Sequence, residues 1–135
     1  MSDRSQTESI VGQFYEAMNS DDISRLPLAE DAEYSGVLTP DPVRGEAEVR
    51  QHLHETAPFI SNIHSTRMII EDGAVASLTE LDDVNGMHVE GTYVFDIENG
   101  KISCIRGVFD TRAFFAWDQF MRFSDDEERE ADVQT

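Results

Sequence analysis

The sequence is short of cysteine, of long apolar runs and of positive charge. Cys104 is the only cysteine among 135 residues, so no disulfide can form within the chain, and its strand-like context suits a small core residue. No stretch is long and apolar enough to span a bilayer, and the N-terminus lacks the basic start and apolar run of an export signal. We therefore expect a cytoplasmic protein that does not insert into a membrane.

The scarcity of positive charge limits the classes of molecule that the protein is expected to bind. The chain carries 28 acidic residues against 10 lysines and arginines, a formal net charge of −18, and Lys101 is its only lysine. A field of this sign repels nucleic acids and anionic membranes, so neither is expected as a partner. Such surfaces resemble those of proteins from salt-loving microbes, where salt screens the self-repulsion. An ordinary acidic surface with an acidic tail is the alternative.

Motifs that hold a cofactor or a metal are also missing. The sequence contains no glycine-rich phosphate loop, no serine or cysteine nucleophile motif and no histidine pair at the spacing of a metal site. His52 and His54 are two residues apart and therefore lie on different faces of a helix. The sequence predicts a protein with no cofactor and no bound metal.

The clearest positive pattern lies in residues 87–110. Residues 87–98 alternate apolar and polar side chains, which is typical of a strand with one apolar face. Asn99 and Gly100 favour a tight hairpin, and residues 101–110 return as a second strand. Two earlier strand-like runs, at 63–71 and 74–83, flank Asp72-Gly73, so the pattern predicts a four-stranded antiparallel meander.

The remaining segments predict helices around this sheet. Their order indicates an α+β fold, a cone-shaped α+β barrel with three N-terminal helices on a curved mixed or antiparallel sheet, followed by a C-terminal helix. One domain covers residues 1–123, and residues 124–135 form an acidic, disordered tail. The predicted helices are 7–18, 23–30, 46–57 and 111–123, and a short strand is predicted at 32–38.

Four segments in order carry a resemblance to a known family: FYEAMNSDDISRL, LAEDAEYSG, VRGEAEVRQHL and ENGKISCIRGVFD. They resemble the SnoaL-like branch of the nuclear transport factor 2-like superfamily, which also contains ketosteroid isomerase and limonene epoxide hydrolase. The resemblance covers roughly residues 9–117. It implies the cone-shaped fold and a homodimer formed through the exposed face of the sheet. The fold hosts isomerases, cyclases, hydrolases and non-catalytic binding proteins, so activity is implied far less closely than architecture.

The catalytic positions of ketosteroid isomerase are not kept. Its oxyanion tyrosine corresponds to Phe14, with Tyr15 next to it but turned by about 100° around the helix. Its general base corresponds to Gly36, and its second acid to Gly91, beside Glu90. The resemblance therefore does not imply steroid isomerisation by that mechanism.

Asp110 is the first catalytic candidate. Cyclases and epoxide hydrolases of the superfamily place aspartates on the last strand, and Asp110 matches the outer one, whereas Gly107 stands at the pocket-facing position. A carboxyl group at the apolar end of a cone would have a raised pKa and could act as an acid or a base. The alternative, which we favour, is a helix cap or an arginine partner.

His88, Glu90 and Tyr15 are the other catalytic candidates. His88 and Glu90 share one face of a strand, and with Arg106 they could orient a water or a polar substrate group. The alternative is an outward polar face or part of a dimer interface. Tyr15 could donate a hydrogen bond to a ligand oxygen, although buried tyrosines more often serve as core residues with a bonded hydroxyl.

Apolar and aromatic positions supply the lining of the predicted pocket. They favour a small, largely apolar ligand that carries a carbonyl or hydroxyl group. Two functions remain open: cofactor-independent proton transfer of the cyclase, isomerase or hydratase kind, and non-catalytic ligand binding or dimeric interaction. The predicted lining comprises Phe14, Met18, Tyr34, Phe59, Met87, Val89, Gly91, Tyr93, Ile105, Gly107 and Phe109, while Val94, Cys104 and Val108 lie on the opposite, dimer-forming face.

Overall fold

The computed structural model describes residues 4–36, 39 and 41–109. In these residues two helices pack on one face of a curved mixed sheet of six strands, which confirms the predicted α+β architecture. We call the face beneath the helices the inner face and the opposite one the outer face. The elements are α1 (Arg4–Ser20), β1 (Leu28–Ser35), β2 (Val43–Arg44), α2 (Glu46–Thr56), β3 (Ile60–Glu71), β4 (Ala74–Asp83), β5 (His88–Glu98) and β6 (Lys101–Phe109).

The sheet has the strand order β2-β1-β6-β5-β4-β3. Strands β3 to β6 form the predicted antiparallel meander, and β1 joins it by parallel pairing with β6. Both predicted hairpin turns are confirmed. Asp72 and Gly73 have φ angles of 45° and 83°, and Asn99 and Gly100 have 52° and 73°. Two successive positive φ values match the twist of the flanking strands, which is why Asp-Gly and Asn-Gly occur there.

The predicted helix over residues 23–30 is wrong. Only a 3-10 turn forms, at Ile23–Arg25, and β1 already begins at Leu28. Pro27 explains the difference, because a residue that precedes proline is disfavoured in the helical region. Leu26 accordingly adopts an extended conformation, with φ −64° and ψ 126°. The described residues therefore contain two of the three predicted N-terminal helices.

Helix α1 is held against the free edge of β3 by one side chain. The side-chain amide nitrogen of Asn19 donates to the carbonyl of Ile63 at 2.7 Å, and the backbone N–H of Ile63 donates to the amide oxygen of Asn19 at 2.8 Å. The amide thus pairs with the strand much as another strand would, at an edge where β3 has no neighbouring strand among the described residues. This contact fixes the height of α1 above the sheet.

Helix α2 is tied to the turn that precedes β1. The Arg50 guanidinium donates to the carbonyls of Ile23 at 2.6 Å and Leu26 at 3.1 Å, and it pairs with Glu46 at 3.0 Å. The Ile23 carbonyl also accepts the Leu26 N–H at 3.1 Å, so the guanidinium adds a second bond there and ties α2 to the 3-10 turn. The core then lies between both helices and the inner face. None of the helices in the described ranges is long and apolar enough to cross a membrane.

Candidate functional site

A cluster of four hydroxyl groups lies inside the fold, between α1 and strands β3 and β4. The Tyr15 hydroxyl is 2.7 Å from Ser77 Oγ and 2.7 Å from Thr79 Oγ1. Ser77 Oγ donates in turn to Ser65 Oγ at 2.7 Å. Tyr15, Ser77 and Thr79 are buried, and Ser65 is half-buried. We call Tyr15, Ser65, Ser77 and Thr79 the hydroxyl cluster; it is a polar spot in a mainly apolar interior.

The hydroxyl cluster is hydrogen-bonded throughout, but either partner can be the donor in the two contacts of Tyr15. Thr79 Oγ1 donates its proton to the Ser77 carbonyl at 2.9 Å, and Ser77 Oγ donates its proton to Ser65. Tyr15 has one proton and two short oxygen contacts, so it can donate to only one of them at a time. The other contact needs a hydroxyl to rotate. The cluster can therefore either donate a hydrogen bond to a ligand oxygen or accept one.

The pKa of Tyr15 suits a hydrogen-bond donor better than a base. Burial raises the pKa of Tyr15 above its ordinary value of 10.0, and hydrogen bonds from Ser77, Thr79 and Ser65 only partly offset this. A phenol with a raised pKa keeps its proton at neutral pH. In chemical terms, the hydroxyl cluster can bind and polarise a carbonyl or orient an alcohol, but it cannot remove a proton from carbon.

A second pair of polar groups is formed by Tyr34 and Tyr93, which are both buried and whose hydroxyl groups influence each other. Burial raises the pKa of both tyrosines, and that of Tyr93 is well above 10.0 because the Tyr34 hydroxyl adds to the effect. The His52 ring lies 4.7 Å from the Tyr34 ring, centroid to centroid. Burial lowers the pKa of His52, so its imidazole is neutral at physiological pH. Among the histidines that the structure describes, His52 is half-buried and the other three are exposed. His52 was not among the candidate residues selected from the sequence.

Phe109 occupies the space that glycines leave on β5 and β6. A Cβ atom on Gly91 would lie 2.2 Å from Phe109 Cδ1, and one on Gly107 would lie 3.1 Å from Phe109 Cε2 and 3.1 Å from Tyr93 Cε1. These are the positions at which the resemblance implies acids in catalytic relatives. An aromatic ring therefore fills the site where a carboxylate would project into the cone.

Most of the predicted lining residues lie in the interior. Phe14 packs edge-on against Tyr93 and Phe95, with ring centroids 5.1 Å away in each case. Phe59 is the exception, because it lies in a surface turn with 45% of the residue's area exposed, and it does not line the interior. The other predicted lining residues that the structure buries or half-buries are Met18, Tyr34, Met87, Val89, Gly91, Tyr93, Ile105, Gly107 and Phe109.

His88 and Glu90 lie on the outer face. Both are exposed, while Val89 between them is buried, because side chains alternate along a strand. Neither side chain can reach a ligand inside the cone, so their interpretation as interior catalytic groups is corrected. The expected pairing of Glu90 with Arg106 is also wrong, because the residue opposite Arg106 on β5 is Val94.

The interior of the described residues holds no uncommitted carboxylate. Asp83 is the buried acidic residue there, and its Oδ1 accepts the backbone N–H groups of Asn85 at 2.8 Å and Met87 at 2.9 Å. It therefore fixes the turn between β4 and β5. Asp110, the first catalytic candidate, lies outside the described residues, as do the predicted last helix at 111–123 and the acidic tail.

The family follows from a comparison of the sequence with family models. The model of the SnoaL-like domain matches residues 11–105. The chain belongs to the SnoaL-like family. This confirms the resemblance drawn from the four sequence segments, and the matched range includes the hydroxyl cluster and Gly91, whereas Gly107 lies two residues beyond it. No curated protein matches this SnoaL-like chain significantly.

Solved structures show the same fold at low sequence identity. A nuclear transport factor 2-like protein of unknown function from Cytophaga hutchinsonii is 19% identical, with a TM-score of 0.68 over 81% of this chain and 94% of that one. A protein from Kribbella flavida, provisionally named a ketosteroid isomerase, is 18% identical, with a TM-score of 0.69 over 78% of both chains. A de novo designed protein with a curved β-sheet is 16% identical, with a TM-score of 0.70 over 87% of this chain and 99% of that one.

Proposed function

We propose that this SnoaL-like protein binds a small, largely apolar molecule bearing a carbonyl or hydroxyl group, and that the hydroxyl cluster holds that oxygen. The observation that supports this most directly is the contact of one buried tyrosine with two buried hydroxyls on β4. Every buried side-chain polar atom among the described residues already has a hydrogen-bond partner, so a ligand oxygen would bind by exchange with one of the two Tyr15 contacts. The absence of a free carboxylate in the described interior favours binding over catalysis.

Three probe molecules of matched shape test the binding. We expect 2-decalone and 2-decalol to bind more tightly than decalin, because only the first two carry an oxygen. The difference should be about three- to tenfold, the effect of one hydrogen bond. In Tyr15→Phe the preference should disappear, while Ser61→Ala, which changes a hydroxyl in the β3–β4 region outside the interior, should retain it. Methyl chemical-shift titrations give the dissociation constants. Equal affinities for all three molecules, or no saturable shift, would contradict the proposal.

A second candidate is cofactor-independent proton transfer of the cyclase, isomerase or hydratase kind. The similarity in fold to the Kribbella flavida protein, which is provisionally named a ketosteroid isomerase, favours this candidate. The match of Asp110 to the family pattern favours it as well. Asp110 would remove a proton next to a ketone, and Tyr15 would donate a hydrogen bond to the resulting enolate oxygen.

Hydrogen exchange tests this candidate without a known substrate. The protein in D₂O should accelerate deuterium incorporation next to the carbonyl of 2-decalone, and Asp110→Asn should reduce the rate by at least about 100-fold, the usual contribution of a general base. Mass spectrometry measures the exchange. A rate equal to that of buffer would remove catalysis and leave the binding function.

We also propose a homodimer formed through the outer face. Leu78, Thr92 and Val108 lie side by side on β4, β5 and β6, and Leu78 and Val108 are exposed. Val94 lies one row away on the same face. Exposed apolar rows on a sheet favour a partner, here a second copy. Sedimentation velocity should give a mass near twice 15.2 kDa, and Val108→Glu should shift it to the monomer. A monomeric wild type would contradict this.

A further inference from the structure

The outer face carries a cluster of histidines and carboxylates that the interior function does not use. Glu80 on β4 lies directly opposite Glu90 on β5, and Asp82 lies opposite His88. His88 Nε2 is 3.9 Å from Glu80 Oε1 and 3.7 Å from Glu90 Oε1. The ligating atoms of Glu80, His88 and Glu90 all lie within 4.8 Å of one another. On β3, His64 Nε2 lies 3.1 Å from Glu80 Oε2.

The pairing of Glu80 with Glu90 is unfavourable as it stands. Like charges directly opposite each other in a sheet repel, and this chain already carries a net charge of −18. Among the described residues, the ion-pair contacts of these two carboxylates are to histidines, not to arginine or lysine. A histidine neutralises a carboxylate only while it is protonated. When the histidines are neutral, the cluster has an excess of negative charge, which a divalent cation would offset.

The hydrogen bond of His88 orients its ring for metal binding. His88 Nδ1 is 2.9 Å from Asp82 Oδ1, and an Nδ1–H donated to this carboxylate leaves the lone pair on Nε2. Nε2 is the ring atom that faces Glu80 and Glu90. A carboxylate bonded to the far nitrogen of a ligating histidine is the usual second partner of such ligands in metalloproteins. The tautomer needed for coordination is therefore the one that the strand register already favours.

The separations suit a small ion after modest side-chain movement. Ligands about 2.1 Å from a tetrahedral zinc ion are about 3.4 Å from each other. The separations of 3.7 Å and 3.9 Å from His88 Nε2 exceed this by a few tenths of an ångström, and the widest separation among the three ligating atoms, up to 4.8 Å, exceeds it by about 1.4 Å. Glu80 and Glu90 have flexible side chains that are 33% and 69% exposed, so they can close that difference. One imidazole nitrogen with carboxylate oxygens is a ligand set that Zn²⁺ accepts.

We propose that Glu80, His88 and Glu90 form a binding site for a divalent cation of the Zn²⁺ class, with Asp82 as the residue that positions His88. The site lies on the outer face, so it is independent of the interior ligand. The ion would join β4 to β5 and remove the repulsion between the two glutamates. The spacing of residues along the sequence does not reveal this site. Its ligands come from two strands and meet only through the β4–β5 register.

Calorimetric titration of the tag-free, chelator-treated full chain with ZnCl₂ tests the site. We expect one ion per chain. His88→Gln and Glu90→Gln should weaken binding by at least about tenfold, and Asp82→Asn by about 10- to 100-fold, the usual effect of losing such a second partner. His54→Gln is the matched control, because His54 also pairs with an aspartate, Asp21 at 3.6 Å, on the surface. It should leave the affinity unchanged.

A spectroscopic readout separates coordination from general attraction to an acidic protein. Co²⁺ titrated in place of Zn²⁺ should give a visible absorption band that His88→Gln abolishes and His54→Gln retains. Circular dichroism checks that each variant is folded, which we expect because the substituted side chains are exposed. No saturable binding by the wild type, or equal binding by His88→Gln and the wild type, would overturn the proposal.

Discussion

At the scale of single residues, part of β4 reverses the usual pattern: its polar side chains lie in the interior and an apolar one is exposed. Ser77 and Thr79 are almost fully buried on β4, whereas Leu78 between them is 40% exposed. Tyr15 makes the burial of both hydroxyls tolerable, because it brings a phenol within 2.7 Å of each. The hydroxyl cluster therefore depends on one helix residue that meets one strand.

Gly91 is the residue at which added volume should cost most. Alanine there would place a Cβ 2.2 Å from the Phe109 ring and 2.6 Å from the Val108 carbonyl oxygen. We expect Gly91→Ala to lower the free energy of unfolding by about 1–3 kcal/mol, the usual cost of overpacking. Gly12→Ala is the control: it meets nothing within 4 Å in the middle of α1 and should stabilise by about 0.5–1 kcal/mol. Urea denaturation measures both, and unchanged stability in Gly91→Ala would show that Phe109 does not fill this space.

Sequence alone could not have selected the hydroxyl cluster. The alternation on β4 does not separate an apolar face from a polar one, because Leu78 shares a face with Glu80 while Val75 shares the other face with the two hydroxyl residues. The structure turns the second face inward, since the register with β5 places Ser77 opposite Tyr93, which is buried. Tyr15 was selected, but its partners depend on contacts more than 60 residues apart in sequence.

At the scale of elements, local signals predicted what local physics controls. The two hairpin turns could be predicted from Asp-Gly and Asn-Gly, because tight hairpin turns require two residues with positive φ and these residue types adopt it readily. The bounds of β4, 74–83, were predicted as observed. The wrongly predicted second helix shows the limit of local signals. The apolar spacing at 23–30 favours a helix, but Pro27 and the pairing of β1 with β6 favour an extended chain. Short β2 carries no sequence signal of its own.

The attachment of α1 to β3 gives a prediction at this scale. Asn19→Ala removes two hydrogen bonds to the Ile63 backbone at the free edge of β3. We expect the free energy of unfolding to fall by about 1–2 kcal/mol, because the partly buried N–H and carbonyl lose their partners. Ser20→Ala removes an exposed bond to the Glu16 carbonyl and should change stability by less than about 0.5 kcal/mol. Equal effects in urea denaturation would refute the role of Asn19.

At the scale of the whole molecule, the two faces of the sheet separate two kinds of chemistry. The inner face buries neutral hydroxyls and aromatic rings, while one end of the outer face carries His64, Glu80, Asp82, His88 and Glu90. Family membership explains the shared architecture but not this division, since each face is set by the identity of alternate residues. A ligand oxygen inside and a cation outside could therefore bind independently.

Tyrosine-selective NMR tests the central claim, that the interior holds a ligand oxygen at Tyr15. The chain has three tyrosines, so ¹³C-labelled tyrosine gives three ring environments, which single Tyr→Phe substitutions assign. On titration with 2-decalone, we predict a saturable shift of the Tyr15 signal and a much smaller one with decalin. A Tyr15 signal that stays unchanged while 2-decalone binds, or that moves equally with decalin, would contradict the account.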